Sequence, residues 1–133
     1  MKKKLSLGAI VLGISLVASV PASATTDEYA TTYANILNKF NANYVYGVAS
    51  AQSSNSKFQS INLSASFYQG TTKKESGTAT SYTKNVPAQW LTANGTNGTN
   101  YPSSNSYSIN VASRTYYTDG TSSDQSYDYA YWN

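Results

Sequence analysis

The sequence predicts a mainly β protein: a small antiparallel β-sandwich built from two similar hairpins, with a short N-terminal helix after a signal peptide. Three observations favour this class. Apolar and polar residues alternate over residues 61–68, which is the period of a strand that buries one face. The stretch 60–72, SINLSASFYQGTT, returns in similar form as SINVASRTYYTDGTS over 108–122. Each copy reaches a glycine-containing turn followed by another strand-like run, so the repeated unit is a hairpin.

The N-terminus has the three parts of a secretory signal peptide. Lys2, Lys3 and Lys4 form a positive region, residues 5–20 are an apolar run without charge, and small residues lead to Ala24. This pattern predicts cleavage after Ala24. A retained membrane anchor is the alternative, but glycine and serine dilute a run that is already short for a span. We therefore expect a secreted bacterial protein, extracellular or associated with the cell wall, with no stable membrane anchor after cleavage.

Removal of residues 1–24 changes the charge of the chain. Three of the nine basic residues lie at positions 2–4, so six Lys and Arg remain against six Asp and Glu. The net charge of the mature chain is then zero. Nucleic-acid binding depends on clustered Lys and Arg that neutralise phosphates, and the only local pair here, Lys73 and Lys74, is followed by Glu75. We therefore expect no nucleic-acid partner.

The mature chain of about 110 residues is long enough for one modest core. There is no cysteine to form a disulfide, and aliphatic residues are few. Thirteen tyrosines and two tryptophans supply large apolar bodies instead. We expect a signal peptide over 1–24, an N-terminal helical segment over 25–42 and a β-sandwich domain over 43–133, with a core rich in aromatic side chains.

The helix is predicted over 26–40. Thr25 and Glu28 have the spacing of a capping box. The apolar residues that follow recur at a helical period, which indicates one face packed against the sheet: Tyr29, Tyr33, Ile36, Leu37 and Phe40. Attachment to a membrane surface would require a cationic polar face, and this one carries Asp27 and Glu28.

Strands are predicted at 44–50 and along both copies of the repeat, with the second strands of the two hairpins at 78–83 and 126–132. One face of the first copy would carry Ile61, Leu63 and Phe67, and the same face of the second copy would carry Ile109 and Val111. Because neither hairpin can bury its apolar face alone, we expect the two to cover one another face to face. Chance recurrence in a chain rich in Ser, Thr and Tyr is the alternative origin of the repeat.

The chemistry available to an enzyme is limited. The sequence has no histidine and no cysteine, which excludes Ser-His-Asp and Cys-His catalysis and the usual zinc sites. Asp119, Asp124 and Asp128 form the only cluster of carboxylates that could act as a glycosidase pair or hold a calcium ion. Asp119 precedes Gly120 in a predicted turn and Asp128 lies in a predicted strand, facing outwards, so a structural role is favoured. We expect a non-enzymatic protein without a cofactor or metal.

The high content of tyrosine and tryptophan is the feature of the sequence that says most about function. Six residues near the second hairpin are candidates for ligand binding: Tyr116, Tyr117, Tyr127, Tyr129, Tyr131 and Trp132. Flat rings bury area at little entropic cost, and their hydroxyl groups keep hydrogen bonds. A cell-wall glycan or a surface protein would suit such a surface. The alternative is that tyrosine replaces aliphatic residues in the core.

Two short segments, AQWLTA over 88–93 and SRTYY over 113–117, resemble the Sec-exported lactococcin-type bacteriocins, which are small β-sandwich proteins. The similarity covers about a tenth of the mature chain, and this protein is longer and lacks histidine. The resemblance implies an alternative function, that of a secreted antibacterial protein acting on the envelope of competing bacteria.

Overall fold

A computed structural model describes residues 25–39, 43–93 and 100–133, and these residues contain seven strands and no helix. The strands are β1 (Ala30–Lys39), β2 (Tyr44–Ser53), β3 (Phe58–Gln69), β4 (Thr72–Ser81), β5 (Ala88–Leu91), β6 (Tyr107–Tyr117) and β7 (Ser126–Trp132). The prediction of a mainly β fold is confirmed. The predicted signal peptide over 1–24 lies outside the described residues.

The strands form two antiparallel sheets, one in the order β1-β2-β5 and the other in the order β4-β3-β6-β7. Their inner faces enclose one core, which gives a sandwich-like arrangement. Three aromatic rings lie at its centre, with Phe67 stacked on Tyr107 at 5.5 Å and edge-to-face with Tyr101 at 4.9 Å between ring centroids. Aromatic side chains thus contribute part of the buried apolar area in a chain that has few aliphatic residues.

The helix predicted over 26–40 is wrong in its described part. Residues Ala30–Lys39 form strand β1, which pairs with β2 from Ala30 opposite Ser53 to Lys39 opposite Tyr44. The apparent helical stripe combined residues from two faces of a strand, because Ile36 is buried whereas Tyr33 and Leu37 are exposed on the other side. Backbone pairing with the β-rich strand β2 decides the outcome, since tertiary context overrides a weak local preference.

The two predicted hairpins exist, but they do not face one another. Strand β3 pairs directly with β6, with Phe67 opposite Ile109 and Ala65 opposite Val111, so the hairpins lie side by side in one sheet. Pairing of β3 with β6 satisfies backbone groups that would otherwise form open sheet edges. The inner face of the combined sheet is covered by β1, β2 and β5 instead. Gly70 and Gly120, in the two turns, have the positive φ angles of 61° and 89° that favour glycine.

The predicted inner face of the repeat agrees with the structure. Ile61, Leu63 and Phe67 are buried, as are Ile109 and Val111. The opposite face of β3 is open to solvent at Asn62. The opposite face of β6 is not, because Asn110, Ala112 and Arg114 are also buried. Strand β6 is therefore buried on both faces. Residues on the outer face of a two-layer sheet are usually exposed to solvent, so the buried outer face of β6 is where we place the candidate site.

Candidate functional site

The outer face of the four-stranded sheet is a regular grid of polar and aromatic side chains. Four register rows cross β4, β3 and β6 in that order, and three of them continue onto β7. The middle rows are Thr78, Ser64, Ala112 and Tyr127, then Ser76, Ser66, Asn110 and Tyr129. Because paired residues share a face, hydroxyl and amide groups lie mainly on β4, β3 and β6, and tyrosines lie on the edge strand β7.

The tyrosines of β7 form a ladder, which we define as Tyr127, Tyr129 and Tyr131. Tyr127 and Tyr131 are 39% and 46% exposed. The rings of Tyr129 and Tyr131 meet edge-to-face with centroids 6.0 Å apart. The Tyr127 hydroxyl donates a hydrogen bond to Oε1 of Gln125 at 3.2 Å. The ladder therefore presents ordered rings with apolar faces at the rim of a polar surface.

A trough of about 420 Å³ lies on the same sheet where β3, β4 and β6 run past one another. Its lining combines one cation with amides, hydroxyls and an aromatic ring: Asn62, Leu63, Ser64, Thr78, Ala79, Thr80, Ala112, Arg114, Tyr116 and Gln125. No carboxylate belongs to this lining. The trough can thus donate and accept hydrogen bonds, but its own residues provide no acid–base pair for hydrolysis.

Two side-chain atoms on the grid lack a hydrogen-bond partner in the described part of the chain. Arg114 is only 9% exposed, and its Nε has no acceptor. Asn110 is 7% exposed, and its Oδ1 has no donor. Buried polar groups are nearly always paired, and each exception calls for an explanation. Both atoms belong to β6 on the face that carries the tyrosine ladder.

The structure separates the six predicted binding residues into two groups. Tyr116 lines the trough, and the ladder residues lie on the same face of the sheet. Trp132 points the other way, packs against the core and donates from Nε1 to the Ser103 carbonyl at 2.9 Å. Tyr117 follows Tyr116 in β6 and faces away from the trough; burial, together with the nearby Asp27 carboxylate, raises the pKa of its hydroxyl. Only four of the six therefore share one surface.

Sequence reasoning missed Arg114, Asn110 and the Ser/Thr grid of β3 and β4. A signal was present at Arg114, which is the only arginine of the chain and occupies an outward position of the second repeat. Its importance depends on its burial and on its place in a trough shared with residues of β3 and β4 and with Gln125, which the repeat alone does not reveal.

Two of the three C-terminal carboxylates, those of Asp119 and Asp128, make separate contacts within the protein. Asp119 accepts hydrogen bonds from the amide and hydroxyl of Thr121 and lies 3.7 Å from Lys57 Nζ. The prediction that Asp128 faces outwards is wrong, because its Oδ2 accepts a hydrogen bond from the Ala34 amide of β1 at 2.9 Å. Within residues 25–39, 43–93 and 100–133, no group of three or more acidic, His or Cys side chains could hold a metal ion.

A second polar cluster, around Asp27, stabilises the start of the described chain. The buried Asp27 carboxylate accepts from the Ser53 hydroxyl at 2.6 Å, from Asn55 Nδ2 at 3.0 Å and from the Tyr29 amide at 3.0 Å. Burial acts to raise the pKa of Asp27, but these hydrogen bonds outweigh burial and the pKa is lowered. The Asp27 carboxylate is thus held by hydrogen bonds from within the protein.

Fold and site together define a class: an all-β protein of two antiparallel sheets with an aromatic and polar surface on one sheet. No helix among the described residues is long and apolar enough to cross a membrane. Comparison of the chain with family models, curated proteins and solved structures found no match. Functional inference therefore rests on the geometry of the surface.

Proposed function

We propose that the protein is a secreted, non-enzymatic bacterial module that binds a cell-wall glycan on the outer face of the four-stranded sheet. The observation that carries this proposal is the tyrosine ladder beside a trough of about 420 Å³ lined by amides and hydroxyls. Sugar rings have an apolar face that stacks on aromatic side chains and an edge of hydroxyl groups that need hydrogen bonds. The grid supplies both kinds of contact on one surface.

The shape of the surface favours an extended polymer over a small ligand. The four register rows from Arg114 to Ser108 extend along β6 for about 20 Å at the usual rise of a strand. This length accommodates several sugar units side by side. Tyr127 and Tyr131 occupy different rows, so successive rings of a chain could stack on successive tyrosines.

A wall-binding assay tests the proposal. Purified protein is mixed with isolated bacterial cell walls and pelleted, and the double variant Tyr127→Ala/Tyr131→Ala is compared with the wild type. The matched control is Tyr33→Ala, since Tyr33 is 43% exposed but lies on β1, in the opposite sheet. We expect the double variant to lose binding and the control to keep it.

Two results would contradict the proposal. Protein that stays in the supernatant at every salt concentration does not bind walls. Binding that disappears after protease treatment of the walls, but survives digestion of their glycan, would assign the surface to a protein partner instead.

The second candidate is an antibacterial protein acting on the envelope of competing bacteria. The observation that favours it, besides the resemblance of segments 88–93 and 113–117, is the exposure of apolar side chains on the three-stranded sheet, with Tyr33, Leu37 and Leu91 outside the core. Exposed apolar groups of this kind are typical of interaction sites. Protein spotted on lawns of related bacteria tests this candidate, and the absence of clearing across a broad panel would contradict it.

A further inference from the structure

We propose that Arg114 recognises a carboxylate on the bound glycan, so that the preferred ligand is a polysaccharide containing acidic sugars of the uronic-acid type. The polymer part of this statement rests on the proposed glycan binding. The carboxylate site itself is a separate property of the trough and is tested separately below.

Arg114 is buried, and its Nε has no hydrogen-bond partner among the described residues. Arginine is almost never buried unless it is paired, because removing a charge from water has a free-energy cost that only good partners offset. Here the side chain is 91% covered, yet the described part of the chain provides no ion pair to it and no acceptor for Nε. A ligand anion would supply the missing partner.

The lining of the trough favours an anion that belongs to a sugar. A guanidinium binds a carboxylate through two parallel hydrogen bonds, a geometry that lysine cannot provide. The same trough is lined by the side-chain amides of Asn62 and Gln125 and by the hydroxyls of Thr78 and Thr80. Polar groups of this kind can form hydrogen bonds with the hydroxyl groups of a pyranose ring. No acidic residue in this lining would repel the ligand.

The distribution of positive charge favours a carboxylated sugar over a polymer with a phosphate in every unit. Arg114 is the only cation of the trough lining. The nearest cation in the grid, Lys73, pairs with Tyr68 three rows away, about 20 Å along the strand. Proteins that follow a phosphate backbone use clustered Lys and Arg, and this face has no such cluster among its described residues.

The single arginine makes a direct experiment possible. Because the chain has one arginine, its Nε–H gives one identifiable signal in ¹⁵N-labelled protein. Glucuronate, glucose, acetate and glycerol phosphate are titrated separately against this signal. We expect glucuronate to shift it with a dissociation constant of about 1 mM or tighter, and the three other compounds to shift it less at equal concentration.

Each alternative outcome of this titration overturns the proposal. A glucose shift equal to that of glucuronate would show that the carboxylate is not recognised. An equal effect of acetate would show that the sugar does not contribute. A stronger effect of glycerol phosphate would show that the trough binds phosphate. If none of the four compounds shifts the Nε–H signal, Arg114 does not form a binding site for a carboxylate.

Polymer binding provides the second measurement, with polygalacturonate, its methyl ester and a neutral glucan as probes. We expect Arg114→Gln to weaken polygalacturonate binding by about 10-fold to 100-fold, as expected for loss of a charged hydrogen bond, and to change glucan binding little. Arg114→Lys should restore only part of the affinity. Equal binding of all three polymers by wild type and Arg114→Gln would overturn this inference but leave glycan binding intact. An Nε shift without any wall or polymer binding would instead contradict the proposed function alone.

Discussion

Gly77 of β4 lies directly beneath the indole ring of Trp90 of β5, so that a Cβ added to Gly77 would be 2.2 Å from Trp90 Nε1. The two residues belong to different sheets, and this contact closes the core on the β4 side. The absence of a side chain at position 77 is what allows the ring to enter.

The first prediction follows from this contact. Gly77→Ala should lower the free energy of unfolding by about 1–3 kcal/mol, because the new methyl group forces Trp90 out of its position. Urea denaturation followed by tryptophan fluorescence measures the loss. Ser76→Ala, at the neighbouring exposed position of β4, is the control and should have little effect. Equal stability of Gly77→Ala and wild type would show that the ring moves freely.

The second prediction concerns the shared core of β3 and β6. Leu63→Ala should cost about 2–5 kcal/mol and Val111→Ala somewhat less, because both remove buried methyl groups. The two residues lie on the same inner face and differ by one register row, so the double variant should depart from additivity, which distant sites obey to within about 0.5 kcal/mol.

Asn62→Ala and Asn110→Ala serve as controls for that experiment. Asn62 is exposed, and Asn110 Oδ1 has no partner to lose, so both should cost far less in chemical denaturation. If the asparagine variants prove as damaging as the apolar ones, the inner and outer faces are exchanged by a shift of one residue.

The third prediction is a pH dependence that originates at Asp27. Because its folded pKa lies below the ordinary value of 3.8, the ionised carboxylate stabilises the folded state above that value. This stability is lost as the pH falls from about 4 through the folded pKa. Thermal melting between pH 2 and pH 7 should show a weaker acid dependence in Asp27→Asn than in wild type. If the melting temperature falls equally with decreasing pH in Asp27→Asn and wild type, the pKa of Asp27 is the same in the folded and unfolded states.

The fourth prediction concerns the hydrogen bond between the sheets from the Ala34 amide to Asp128 Oδ2. Asp128→Ala should lower the free energy of unfolding by about 1.5–3 kcal/mol, since a hydrogen bond to a charged group is lost. Hydrogen exchange of the Ala34 amide should accelerate, because this amide points away from β2. Asp128→Asn keeps an acceptor oxygen and should preserve most of the protection. Unchanged exchange in Asp128→Ala would show that another acceptor replaces the carboxylate.

The fifth prediction separates stability from binding at Arg114. Replacement of a buried charge by an apolar side chain of similar size is often neutral or stabilising. Arg114→Met should therefore keep or raise the free energy of unfolding in urea while it weakens binding of acidic glycans. A loss of more than about 2 kcal/mol would show that Arg114 has structural partners, because breaking a paired buried charge is strongly destabilising.

The strands of the repeat could be predicted from residue order alone. The alternation from Ile61 to Phe67 identifies the buried face of β3, because the period of a strand places every second side chain on one side. Gly70 and Gly120 identify the turns because a positive φ angle is nearly free of cost only for glycine. These are local effects, and each depends on a few neighbouring residues.

Strand β1, the side-by-side pairing of the hairpins and the covered position of Arg114 depended on the tertiary structure. Residues Ala30–Lys39 contain apolar side chains that suit a helix as well as a strand, and pairing with β2 decides between them. Backbone pairing between β3 and β6 involves residues far apart in the chain, and no local pattern distinguishes it from face-to-face packing. The sequence by itself determined the strands and turns of the repeat; only the tertiary structure decided their neighbours, because burial and strand pairing are properties of contacts between distant segments.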